Sequence, residues 1–131
     1  MGEGIGEAWR QGGNGVDYMQ INILGTDYTI EVLSAAEDSM LTKCDGYCDK
    51  TSKRIVIATK DADCELEDFE VYQRKVTRHE IIHAFLFESG LHENWSHEHG
   101  HDETYVDWIA AQWPKLQKAF EALAWKNKAG R

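Results

Sequence analysis

Apolar and polar residues alternate from Ile21 to Val32, with one break at Gly25-Thr26. Ile21 and Ile23 before the break, and Tyr28, Ile30 and Val32 after it, follow the period of two that puts every second side chain on one face of a strand. With a glycine at the break, the stretch predicts a β-hairpin. Further on, Arg54-Ile55-Val56-Ile57-Ala58 is a short β-branched run and predicts another strand. The segment Asp45-Gly46-Tyr47-Cys48-Asp49 is expected to be a strand or turn paired with it. Between these segments, Ser34 to Lys43 is mixed and predicts a loop or a helical turn.

The period then changes to that of a helix. Phe69, Tyr72, Val76, His79, His83 and Leu86 fall on one stripe and predict a long helix from about Glu65 to Ser89. Asp63 is the expected cap, Glu65, Glu67 and Asp68 load the first turn with acid, and Gly90 is placed to end the helix. Ile81 and Phe85 lie on another side, as in a helix that is central in its domain. Residues 91–101 read as a polar loop. Asp102 can cap a second helix beginning near Glu103, followed by Val106, Ile109, Ala110 and Trp113 at helical spacing. Pro114, the only proline, is expected to kink or restart it.

Residues 1–18 hold no apolar period and are read as a flexible arm, which leaves 19–131 as a single domain. The expected fold class is α+β: a short antiparallel or mixed sheet of about 3–4 strands, packed on a central helix, plus a C-terminal helix. A chain of 131 residues fits one domain. Its net charge of −9 argues against a nucleic-acid partner, because phosphate binding needs a basic surface. No apolar run is long enough for a membrane span, and no leader of basic then apolar residues is seen. Three cysteines, Cys44, Cys48 and Cys64, are too few for a disulfide scaffold and read as free thiols, so a cytoplasmic setting is expected.

Histidine carries the chemistry. All six lie between positions 79 and 101. His79-Glu80-Ile81-Ile82-His83 falls inside the predicted long helix, where residues four apart are about 40° apart around the axis and ~6 Å along it. Two imidazoles so placed can share one metal. Glu80, at the edge of the same face, can reach a water molecule beside the metal. This is why the His-Glu-x-x-His spacing suits zinc hydrolases. A catalytic zinc takes three protein ligands, so one more is needed downstream. Glu103 is one candidate, with Asp107 a turn later placed to accept the N–H of a ligating histidine. The other candidates are His92, His97, His99 and His101. One of these, or Tyr105, is also a candidate for oxyanion stabilisation. Without any metal, the six histidines form a cluster that titrates between pH 7 and 5.

The chain resembles a minimal zincin-type metallopeptidase. It is similar to short His-Glu-x-x-His proteins of phages and mobile elements, and more distantly to ImmA/IrrE-type and SprT-like domains. The likeness is carried by Asp45-Gly-Tyr-Cys-Asp49 leading to Ile55-Val-Ile57, by Arg78-His-Glu-Ile-Ile-His-Ala-Phe-Leu-Phe-Glu-Ser-Gly-Leu91, and by Asp102-Glu103 with Val106-Asp107-Trp108-Ile109-Ala110. It implies a zincin-like fold and one catalytic Zn2+ held by His79, His83 and Glu103, as in gluzincins, with Glu80 as general base. It also implies that a protein or peptide substrate pairs with an edge strand, Ile55, Val56 and Ile57 within Ile55–Ala58. A phage or prophage origin follows from the same resemblance. The alternative is a regulatory or binding module that is stabilised by zinc and cleaves nothing.

Overall fold

A computed structural model of the protein describes residues 9–94 and 102–123. The hairpin forms from β2 (Asp17–Ile23) and β3 (Thr26–Leu33). Its loop is Leu24-Gly25 rather than Gly25-Thr26, since Ile23 pairs directly with Thr26. Both loop residues have positive φ, 52° and 95°, the combination required by the two-residue turn whose twist matches the strands. Asn22 accepts the Gly25 N–H at 3.0 Å and closes the turn.

Of the segment expected as a flexible arm, residues 1–8 lie outside the described residues, and residues 9–18 differ from expectation. β1 (Arg10–Gln11) pairs antiparallel with β2, and Trp9 packs against the main core. Gly12, Gly13 and Gly15 make a second turn. Gly15 has φ 85°, and a Cβ on Gly12 would meet the Val16 carbonyl oxygen at 2.4 Å. The glycines at positions 12, 13 and 15 thus belong to a tight connection between paired strands, which composition alone does not separate from a loose tail.

With β4 (Gly46–Asp49) and β5 (Arg54–Ala58), the described residues form five strands, one more than the upper expectation, in the order β1-β2-β3-β5-β4. β5 runs parallel to β3, and β4 runs antiparallel to β5 on the outside. Ile55–Ile57 is therefore not an edge strand. It is interior and its three side chains are buried, as its unbroken apolar run requires of a strand covered on both faces. The edge is β4. On one face Ile23, Tyr28, Ile30, Ile55 and Ile57 form the core. On the other, Leu33 and Val56 are covered by Leu41 from the 3-10 turn Ser39–Thr42.

α1 (Phe69–Ser89) lies across the first face and contributes Val76 and Ala84 to that core. It begins four residues later than expected, because Asp68 rather than Asp63 caps it, accepting the Val71 N–H. Asp61 instead turns the chain on itself, accepting the N–H of Asp63. Gly90 ends the helix in the left-handed conformation, φ 84°. A single turn, α2 (Leu91–Asn94), begins the segment expected to be loop. α3 (Glu103–Glu121) is capped by Asp102 and packs on α1. It runs through Pro114 without restarting. No helix among the described residues is long and apolar enough to cross a membrane.

Glu88, in the last turn of α1, ties the helix to the sheet. It accepts from Tyr28 OH at 2.7 Å, Lys53 Nζ at 2.8 Å and Thr26 Oγ1 at 2.9 Å. The Lys53 ammonium and these two hydroxyls lower its carboxyl to about 2. A folded-state value below the unfolded one, about 4.3, gives stability that is present above pH ~4.5 and lost as the pH falls toward 2. Glu88→Gln should therefore lower the melting temperature at pH 7, and the gap from the parent should close at low pH. Circular dichroism melts at pH 7, 4 and 2.5 check this; a gap independent of pH would refute it.

Candidate metal centre

The site forms where the middle of α1 meets the first turn of α3. Helical spacing sets His79 and His83 on the side of α1 that faces α3. The Asp102 cap fixes where α3 starts, so its first residue, Glu103, arrives opposite both rings. His79 Nε2 and His83 Nε2 are 3.1 Å apart, and each lies 3.0 Å from Glu103 Oε1. Among the described residues these three make the one group of histidine, cysteine or acidic side chains gathered closely enough to hold a metal ion.

The triangle fits a small dication. Tetrahedral ligands at about 2.05 Å from an ion stand about 3.3 Å apart, so these atoms need to spread by only a few tenths of an ångström. Two imidazole nitrogens and one carboxylate oxygen are a donor set that zinc accepts. Asp107 supports it: its Oδ1 lies 3.2 Å from His79 Nδ1. With a proton on Nδ1 donated to that carboxylate, His79 Nε2 presents a lone pair toward the ion. Lys75 Nζ also donates to Asp107 Oδ1, at 2.9 Å. The Lys75 ammonium, with His79 adding to it, holds the Asp107 carboxyl below the usual range, so it stays an acceptor.

Glu80 is only 7% exposed, on the stripe of α1 that faces the sheet. Burial, with Glu103 adding to it and His79 opposing, pushes its carboxyl up to about 7. A base near neutrality can both take and return a proton. Burial likewise lowers His83 and keeps its ring neutral, the form that ligates metal. The histidine side chains are 18% and 8% exposed, against 73% for Glu103, so the centre opens outward past the carboxylate.

A cleft of about 450 Å³ adjoins the centre, with Cys44, Gly46, Tyr47 and Cys48 on one wall and His79, Glu80, His83, Phe87 and Glu103 on the other. The strand along it is β4. Gly46 permits this closeness, because a Cβ there would sit 3.0 Å from Val76 Cγ1 of α1. The cysteines are free, and burial pushes the Cys48 thiol up to about 12, so it is protonated.

The candidates from sequence separate clearly. His79, Glu80, His83 and Glu103 meet at one cleft, with Asp107 behind His79. Tyr105 is half-buried on α3 and does not line the cleft. His92 sits on α2 with its ring edge-on to Phe87, centroids 4.8 Å apart, and is outside the donor triangle. His97, His99 and His101 lie outside the described residues. Ile55, Val56 and Ile57 are replaced as cleft strand by β4, whose sequence has no apolar alternation to announce it. Lys75 and Arg78 were missed; the signal was their place on the motif helix, one turn and one residue before His79. No family model, curated protein or solved structure matches this chain.

Proposed function

We propose that the protein is a zinc-dependent peptide hydrolase with a zincin-like fold. The observation that carries the reading is the convergence of His79, His83 and Glu103 within 3.1 Å of one another, beside the buried carboxyl of Glu80. Zinc, when bound, supplies Lewis acidity that polarises a carbonyl and acidifies a water molecule. Glu80 takes the proton of the attacking water and returns it to the leaving amine. Asp107 holds the His79 ring in one tautomer. Among the described residues β4 is the outer strand of the sheet along the cleft, where an extended peptide can add as a further strand. Protein or peptide substrates are the class this supports, and an antiparallel edge strand beside the motif helix supports the zincin-like architecture.

The test uses untagged protein, a mixed pool of unstructured peptides and mass spectrometry of the products. Cleavage should stop when a chelator removes the metal and return with one equivalent of zinc. Cleavage that persists at full rate in chelator would overturn the reading. One zinc bound with no cleavage of any peptide would favour the non-catalytic zinc-stabilised module.

A further inference from the structure

α3 carries a proline at its middle and does not break there. In a regular helix the carbonyl of Ala110 accepts the N–H of residue 114. Pro114 has no N–H, and its ring crowds that carbonyl. Ala110 is fully buried, so its oxygen cannot turn to water, and a buried carbonyl without a donor is costly. The donor comes from the other helix: Arg78 Nε reaches Ala110 O at 2.8 Å. Arg78 is the residue immediately before His79.

Glu103, Asp107, Ala110 and Pro114 lie one helical turn after another along the side of α3 that meets α1. The seam therefore has three polar rungs. Glu103 meets His79 and His83, Asp107 meets Lys75 and His79, and the Ala110 carbonyl meets Arg78. The first two rungs use carboxylate side chains that are 73% and 50% exposed. Such side chains can follow a sliding helix by changing rotamer. The third rung grips the backbone of α3 itself, in a buried position.

We propose that Pro114 and Arg78 act together as a positioning device: the proline frees the Ala110 carbonyl, and Arg78 takes it, fixing α3 at the depth where Glu103 meets the two histidines. Neither residue touches a reacting atom. The proposal rests on the metal reading above and adds what places the third donor.

The experiment measures zinc affinity by competition with a chromogenic chelator. It also records the visible spectrum of cobalt-loaded protein, which reports ligand geometry independently of activity. The proteins are the parent, Arg78→Met, Pro114→Ala and the double variant. Arg78→Met should weaken zinc binding by about tenfold and alter the cobalt bands. In the Pro114→Ala background the same substitution should cost less than about threefold, because Ala110 then has its own helical donor. An equal cost in both backgrounds, or no cost in the parent background, overturns the proposal. If Arg78→Met does not fold, Arg78→Ala, which also lacks a donor, replaces it in the same cycle and is judged by the same criteria. A parent that binds no zinc overturns the metal reading and this proposal with it. A parent that binds zinc with no coupling between the two positions overturns this proposal alone.

Discussion

Glu80→Gln should leave one zinc bound and reduce peptide hydrolysis by about 10²–10⁴-fold, the range that a positioned general base supplies. That loss corresponds to roughly 3–5 kcal/mol of transition-state stabilisation. The substitution is clean for a structural reason. Glu80 is 7% exposed and its carboxyl lies near 7, so a neutral amide of the same shape is tolerated where a charge is penalised. Glutamine fills the space and has no basic oxygen to take a proton. Inductively coupled plasma mass spectrometry gives the zinc content, and steady-state cleavage of a mapped peptide gives the rate. A variant that retains zinc and cleaves as fast as the parent would remove Glu80 from the mechanism.

Glu103→Ala should weaken zinc binding by about a thousandfold, roughly 4 kcal/mol, because it removes one of three donors and leaves two histidines on a single helix. The apoprotein should remain folded. Glu103 is 73% exposed, and without its carboxylate the helix still buries Val106 and Ala110 and keeps the Arg78 contact to the Ala110 carbonyl. The measurement is competition against a chelator of known affinity, with circular dichroism of the metal-free proteins as a control. Unchanged affinity would move the third donor to a histidine between positions 92 and 101. Asp107→Asn, by contrast, leaves all three donors in place and belongs to the smaller class of effects expected from a carboxylate behind a ligand.

The features legible in the sequence were those with a local cause. The hairpin was visible because alternation and a glycine turn act within a few residues, and only its loop moved, by one position. His79 and His83 were visible because a helix fixes residues four apart. The Asp102 cap announced both the start of α3 and the arrival of Glu103. The misreadings all depend on what a segment packs against. Residues 10–11 have no pattern of their own and become a strand because β2 offers an open edge. Ile55–Ile57 was assigned to the edge, although three consecutive apolar residues are better suited to an interior strand. Asp63 and Asp68 are equally good caps on paper. Pro114 does not restart α3, and the Ala110 carbonyl it leaves without a helical donor is taken by Arg78, 32 positions upstream of Ala110. Periodicity carries no information about residues 10–11, the choice between the two caps, or Pro114.

The pairing of β3 with β5 also bears on how the chain assembles. The β2–β3 and β4–β5 hairpins each close over a few residues, whereas the parallel seam between Thr29–Leu33 and Arg54–Ala58 joins segments more than twenty residues apart. Short loops cost least entropy and close first, so the topology favours two hairpins that form independently and meet along one slow, nonlocal seam. α1 is anchored across that seam, through Tyr28 and Lys53 at one end and the Ala58 carbonyl, which accepts from Gln73 at 3.0 Å, at the other. The cleft draws one wall from the β4–β5 hairpin and the other from α1 and α3, so it exists only after the last of these pieces has docked. A partly folded chain can hold two histidines on a helix, but it has neither the third donor nor the strand beside them.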